Sequence, residues 1–414
     1  MKIIKYNRDF IRTLSPFLWM LIGFLLHAFG LFFAVSNKTA CYFFCGLGLI
    51  VIFYNAIFKI KCYVHPLTSL TRLLFYCYLF WNFIILLSPF FNSYPITGFS
   101  PVDKYQWLSF LLPLFLFLGI SNFNIQDIFR IGYLSGIIGL VLFVIYFKDI
   151  FTANVSLNFE EYQEYIGKAG IPTFFLAIDA FLVLFYSFMT RKQKILSFIS
   201  WSLVLVTMMF TARRGGIFSF ILILLFALYL YVFYSGKSSK FLKLIFVFSI
   251  IGFSILIYFL YAETAFSLLT ARLGEDSRTG VEEYFFNSFK GNAFDWFFGR
   301  GLNGTYYCPL FDNPQRSIIE TGYLYLILKG GIVNLAFYLF FLGRSAFLGL
   351  FKSKNKLLKG MALYLLAHII FLYPFGVPSF DIEYLLVWVF VLYCHSKSWR
   401  SKTDSQIKEL ISLT

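Results

Sequence analysis

Apolar runs of roughly 20 residues, the length a helix needs to cross about 30 Å of hydrocarbon, recur along nearly the whole chain. Twelve can be marked: Leu14–Ala34, Ala40–Phe58, Leu70–Leu87, Trp107–Ile120, Ile128–Phe147, Pro172–Met189, Ile195–Phe210, Ile217–Tyr234, Leu244–Ala262, Gly322–Leu342, Met361–Phe375 and Ile382–Cys394. The fourth, eleventh and twelfth are short for a full crossing. The pattern predicts an all-α, polytopic integral membrane protein of about 12 transmembrane helices, one membrane domain over residues 1–414. Two polar stretches between the runs are long, 148–171 and 263–319. In the first, FEEYQEYIGKAG reads as a short amphipathic helix with Phe159, Tyr162, Tyr165 and Ile166 on one face. In the second, VEEYFFNSFKGNAFDWFFG carries aromatics at helical spacing and reads as a helix lying on the membrane interface.

Composition removes the alternatives. The chain is 59% hydrophobic and 13% charged, whereas soluble domains carry about 25% charged residues, too many polar positions short to cover a globule in water. Disorder requires low hydrophobicity and is excluded with it. The net charge of +15 lies scattered between apolar runs rather than in one basic patch, so it speaks for the positive-inside bias of membrane proteins and against a nucleic-acid partner. With the N-terminus in the cytoplasm, 23 of the 35 basic residues fall on the inner side, and 15 of the 20 acidic residues fall outside. The basic start, Met1–Thr13, enters the first run with no small-residue cleavage pattern after it and reads as a retained anchor. Both termini are therefore expected in the cytoplasm, with both long loops outside.

Metal and disulfide chemistry find little to use. Of the six cysteines, Cys41, Cys45, Cys62, Cys77, Cys308 and Cys394, only Cys308 lies clearly in an outer loop, and Cys41 is its one candidate partner. The histidines His27, His65, His368 and His395 are dispersed. No metal site and no cofactor are expected.

A few residues oppose the general pattern. The turn TARRGG, Thr211–Gly216, sets Arg213 and Arg214 on the outer side against the charge bias, which points to an anion site, although arginines can also snorkel to lipid phosphates. The long loop adds Arg272, Arg278, Arg300 and Arg316, and the planar guanidinium suits bidentate phosphate recognition. GRGLNG, Gly299–Gly304, formally matches the dinucleotide fingerprint but follows an aromatic helix rather than a strand, so that reading is rejected. Asp179, inside the sixth run, is either functional or bonded to a neighbouring helix, and helix–helix bonding is expected for His27 and His368. Glu320 stands at the mouth of the tenth run, either as a favourable charge at a helix N-terminus or as a general base. Lys329, Gly330 and Gly331 interrupt that run, the glycines permitting close approach.

The succession TARRGG, SRTGVEEYFF, FGRGLNG and IIETGYLYLILKGGIVNL, over about Trp201 to Leu342, resembles the bacterial O-antigen polymerase and O-antigen ligase superfamily. The order, spacing and sidedness of the motifs carry the resemblance. It implies transfer of glycans from an undecaprenyl diphosphate carrier on the outer face of the inner membrane, without metal or nucleotide. The family's first arginine maps to Arg214, with Arg213 where a hydroxyl residue usually stands, and its second maps to Arg278. Where ligases carry a His-Asn pair this chain reads Ile319-Glu320-Thr321, which looks like the polymerase branch.

The resemblance therefore implies Arg214, Arg278 and Glu320 as catalytic residues, with Arg213, Arg300 and Tyr323 as substrate contacts. The expected partners are an undecaprenyl diphosphate-linked oligosaccharide, membrane lipids, and a chain-length regulator and a flippase of the same pathway. The alternatives are a ligase transferring glycan to a lipid A core, and a lipid-oligosaccharide flippase or transporter. Against the latter, no second copy of TARRGG or of the KGG run occurs in the first half.

Overall fold

The computed structural model describes residues 15–34, 37–59, 67–91, 100–118, 123–151, 159–211, 213–234, 277–310 and 313–413. Among them nearly everything ordered is helix, joined by one two-stranded antiparallel ladder, Tyr306–Tyr307 (β1) against Gln315–Arg316 (β2). Eight helices among the described residues are long and apolar enough to cross a membrane: Lys38–Lys59, Ser69–Phe91, Ile125–Ile145, Lys168–Phe188, Arg191–Phe210, Arg214–Tyr234, Gly322–Phe351 and Lys356–Tyr373. Three shorter apolar helices, Pro16–Leu31, Trp107–Phe117 and Ile382–His395, fall on the first, fourth and twelfth expected runs. The chain is an all-α, membrane-embedded protein. The expected ninth run, Leu244–Ala262, and Arg272 lie outside the described residues.

Local chemistry sets where these helices begin. Ser15 Oγ accepts from Leu18 N at 3.0 Å just before Pro16, a residue that needs no N–H partner in the first turn. Asn37, Asn124, Asn355 and Asp381 cap four further helices with their side-chain oxygens. Thr190 and Gln193 form a reciprocal capping box ahead of Arg191–Phe210. The core gathers around Ile382–His395, in which every residue but Glu383 is buried. A helix that is apolar all round belongs in the interior, and this one packs against Gly322–Phe351, Lys356–Phe375 and the stretch after Trp107.

The bundle has two distinct ends. At one, Ser15 donates to Asp127, Tyr393 donates to the Phe123 carbonyl at 2.5 Å, Lys354 N bonds to Arg400 O at 2.9 Å, and Lys356 N bonds to Asp404 at 2.7 Å. At the other, Phe380 N bonds to Lys104 O at 2.8 Å, Tyr325 donates to the Tyr105 carbonyl, and His27 Nε2 is bonded to the Pro101 carbonyl at 3.0 Å. Tyr234 sits with Lys359 at the Asp404 end, the ammonium 4.6 Å from the ring centroid. The described chain next resumes at Ser277, whose helix docks at the opposite, Glu320 end.

Several boundaries differ from the sequence reading. The FEEYQEYIGKAG segment is not a separate helix, because Phe159–Ala180 runs through it and continues as a tighter 3-10 stretch, Phe181–Phe188. The aromatic segment of the long loop is two helices, Ser277–Phe289 and Ala293–Phe298, because Gly291 adopts φ 81° and Asn292 caps the second. The tenth helix continues past Leu342 to Phe351, since Ser345 and Gly349 bury against neighbours while Arg344 faces outward. Trp107–Leu111 gives way to a 3-10 stretch, Leu112–Leu118, around Pro113. Cys41 and Cys308 are both free thiols, so no disulfide joins them.

Asp179 is bonded to a neighbouring helix: Ser197 and Ser200 donate to its two carboxylate oxygens at 2.9 Å each. Gly136 leaves room for it, as a Cβ there would stand 2.6 Å from Oδ2. The histidines depart from expectation. His27 bonds to a loop carbonyl, and His368 Nδ1 is bonded to the carbonyl of Tyr364, one turn back on its own helix, at 3.0 Å.

Candidate functional site

The mouth of the Gly322–Phe351 helix is built by the long loop that precedes it. Thr321 is the N-cap residue, yet its hydroxyl bonds to Glu282 instead of to the helix backbone. Glu282 belongs to Ser277–Phe289, and the Arg278 position lies one turn before it, the Arg278 side chain being outside the described residues. Beneath this contact Phe285, Phe289, Tyr306, Ile319 and Tyr325 form a small apolar core of their own. Glu320 is exposed above it.

The β1–β2 ladder brings Arg316 opposite Tyr306. Burial, the largest effect, pushes the Tyr306 hydroxyl up to about 12; Cys308 and Glu320 push the same way and Arg316 opposes. Arg316 and Glu320 thus act on one buried hydroxyl. Glu320, the Arg278 helix and Arg316 share one corner of the molecule.

Arg213 and Arg214 occupy the turn between Arg191–Phe210 and Arg214–Tyr234. Arg213 is exposed, Arg214 half-buried, and Arg213 N bonds to Met208 O at 2.9 Å. Gly216 keeps this turn tight, since a Cβ there would meet Met208 Sδ at 2.2 Å. Tyr234, at the far end of the same helix, lies at the Asp404 end. A helix of that length spans roughly 30 Å, so Arg214 stands at the Glu320 end. Its helix packs on Lys356–Phe375 and Phe181–Phe188.

Two expected substrate contacts have internal partners. Tyr323 donates to the Ile369 carbonyl at 2.8 Å. Arg300 uses four of its five N–H donors within the loop: Nε to Asp295 at 2.7 Å, and the terminal nitrogens to Ser288 Oγ, Thr305 O and Ser288 O at 2.8, 2.7 and 2.5 Å. Its guanidinium also lies over the Phe289 ring at 4.3 Å. Arg300 is the clamp of the loop.

The feature that sequence reading missed is the meeting of GRGLNG with the interrupted helix. Gly331 has φ 70° and breaks Gly322–Phe351, freeing carbonyls that would otherwise accept helical hydrogen bonds. The loop supplies the donors. Arg300 N bonds to Leu328 O at 2.8 Å, Gly301 N to Lys329 O at 3.1 Å, and the Trp81 indole to Gly330 O at 2.9 Å. The approach is so close that a Cβ on Gly299 would fall 2.6 Å from Gly330 N, and one on Gly331 2.0 Å from Phe297 O. In return Lys329, fully buried, donates to Leu302 O at 2.7 Å and Gly304 O at 3.1 Å. Burial pushes the nearby Asp103 carboxyl above the usual carboxylate range, with the Lys329 ammonium among the groups opposing it.

Beside this junction lies a cavity of about 720 Å³ between Ser69–Phe91 and the loop, within the roughly 300–1,000 Å³ of small-molecule sites. Trp81 and Ser88 line one side, Tyr307 and Gln315 the other. Arg300 borders it; Arg213, Arg214, Glu320 and Tyr323 do not. Among the described residues no group of three or more His, Cys, Asp or Glu side chains could hold a metal ion. Compared with family models, with curated proteins and with solved structures, the chain matches none.

Proposed function

We propose that the chain is a glycosyltransferase that polymerises undecaprenyl diphosphate-linked repeat units of a surface polysaccharide, O-antigen or capsule, on the outer face of the bacterial inner membrane. The observation that carries this reading is the Thr321–Glu282 hydrogen bond, which holds the helix opened by Arg278 against the mouth where Glu320 stands. Arg214, 106 positions earlier in the chain than Glu320, stands at the same end of the bundle.

In this reading Arg214 and Arg278 grip the diphosphate of the donor. Glu320 accepts the proton of the acceptor hydroxyl as that oxygen bonds to the donor's anomeric carbon. The bond from that carbon to the carrier breaks, and undecaprenyl diphosphate leaves with the electron pair and the added negative charge. Fixed cations facing a charge that grows in the transition state are usually the largest catalytic contribution. No metal or nucleotide takes part.

The two ends of the bundle support twelve spans with both termini inside. Loop 100–106, the long loop and the turn before Ile382 gather at the Glu320 end, where the charge bias expects outer segments. The start of the first helix, the 352–356 turn and the C-terminal helices gather at the other. A chain-length regulator and a flippase of the same pathway are the fitting partners.

Purified protein in detergent, given a synthetic carrier-linked repeat unit, is expected to produce a ladder of products. Single transfer to a lipid A core would make it a ligase. One observation favours a second reading: a membrane helix broken at Gly331 beside the buried Lys329 is also a device of transporters. Movement of the intact carrier-linked unit across vesicles, with no new glycosidic bond, would establish that instead.

A further inference from the structure

The walls of the cavity have a definite chemistry. Trp81, Phe298 and Tyr307 offer aromatic surface, and Gln315 offers a neutral amide whose oxygen accepts from Thr305 at 3.0 Å, while Ser88 is bonded to Ile85 O and Leu302 N. Its charged residues are engaged from within: Asp295 is paired with Arg300 at 2.7 Å, and Lys329 points its ammonium at the carbonyls of Leu302 and Gly304. An anion site would present cations to its ligand, and this one presents rings, the exposed Tyr307 side chain and the Gln315 amide. A ligand with apolar C–H faces and a rim of hydroxyls matches such a wall.

The ladder relates this cavity to Glu320. Successive residues of a strand point to opposite faces. Tyr307 and Gln315, cross-strand partners, face the cavity; Tyr306 and Arg316, the adjoining pair, face the Glu320 corner. Tyr306 is accordingly 1% exposed and Tyr307 52%. One short ribbon is the partition between the two. Its floor is held in place by the backbone bonds of Arg300 and Gly301 to the broken helix, so the site needs little ordering to bind.

We infer that the cavity is a saccharide subsite, which takes a neutral sugar residue of the glycan while the glycan's reacting end lies at Glu320 across the ladder. The inference rests on the transferase reading and adds to it a binding place apart from the arginines.

The test extracts the protein, with its lipids, from cells that make it into polymer-bounded discs, and measures bound hexose and hexosamine after hydrolysis. Wild type is expected to retain sugar. Tyr307→Ala and Gln315→Ala, both at exposed positions and the second giving up only the 3.0 Å bond from Thr305 Oγ1, are each expected to lower retention about tenfold, the effect of losing a stacking or hydrogen-bonding contact worth about one decade. Glu320→Gln is expected to retain it. Wild-type discs without sugar, or equal sugar in wild type and in both cavity variants, would overturn the subsite. Sugar lost only in the cavity variants, with no ladder from wild type, keeps the subsite and removes the transferase reading. A wild-type ladder whose KM and length are unchanged in both cavity variants keeps the transferase and removes the subsite.

Discussion

The ammonium of Lys329 donates to the Leu302 carbonyl at 2.7 Å, joining the middle of a membrane helix to the FGRGLNG loop. A buried cation is tolerated where dipoles and a counter-charge answer it. Here two carbonyls touch the ammonium, and the Asp103 carboxylate lies within electrostatic reach. The loop and the helix therefore form one unit, and their glycines serve that contact.

Gly331→Ala should be among the most damaging single changes. It asks a residue with a Cβ to hold φ 70° and places that Cβ 2.0 Å from the Phe297 carbonyl. Positive φ alone costs about 1–2 kcal/mol, and the clash adds to it. Loss of a monodisperse peak in detergent is expected, whereas Gly343→Ala, with open space around its Cβ, should behave as wild type.

Arg300→Lys should fail to rescue Arg300→Ala, because an ammonium cannot serve the separate directions of Asp295, Ser288 and Thr305. Removing the fork leaves partly buried partners unsatisfied, at about 1–3 kcal/mol. Limited proteolysis is the measurement: both variants should be cut within 288–305 at protease levels that leave wild type intact.

Asp179→Ala should lower thermal stability by about 1–3 kcal/mol, since Ser197 and Ser200 would be left as unpaired donors in the core. Asp179→Asn keeps an acceptor and should lose less. Turnover per folded molecule should be unaltered in both; a loss of turnover in Asp179→Asn at wild-type stability would give this residue a functional role.

The proposed catalytic trio makes its own demands. Arg214→Lys and Arg278→Lys should be nearly as inactive as the alanine variants, because lysine keeps the charge but loses the bidentate geometry. Glu320→Gln should abolish turnover while carrier binding persists, since an amide cannot take the proton. Full activity in Glu320→Gln would reduce the carboxylate to a favourable charge at a helix start.

Single cysteines at Glu283 and at Lys354 should label from opposite sides of the membrane, Glu283 from outside and Lys354 only after permeabilisation. The motive is that the helix carrying Glu283 docks at one end of the bundle while Lys354 N bonds to Arg400 at the other. Labelling of both from the same side would break the alternation.

The positions of the helices were legible because hydropathy is a property of single segments: each described apolar helix falls on an expected run. Their ends were less so. Gly349 continues its helix because Ala362 and Cys394 wait for it, and no local signal reports a neighbour distant in sequence. The ladder escaped notice because two-residue strands have no period to detect. Arg300 was visible as an arginine of the long loop, but its role depends on Ser288 and Thr305, which become partners only when the loop folds. Glu320 was singled out from its place at a helix mouth, while the Glu282 contact that fixes that mouth follows from tertiary docking. The glycines of GRGLNG and of KGG were each noticed, yet nothing in either motif names the other.

The break at Gly331 separates a stretch of helix shared by two cores from the longer stretch that follows it. Before the break, Leu324, Tyr325, Ile327 and Leu328 pack with the aromatic core of the long loop while Tyr323 and Leu326 pack with the main bundle; after it, Tyr338, Phe341 and Leu342 pack with the main bundle. The first turns of that helix therefore rivet the two cores together. Any lifting of the long loop would have to part Tyr323 from the Ile369 carbonyl, and Gly322 from its close contact with Gly376, before Gly331 could act as a pivot.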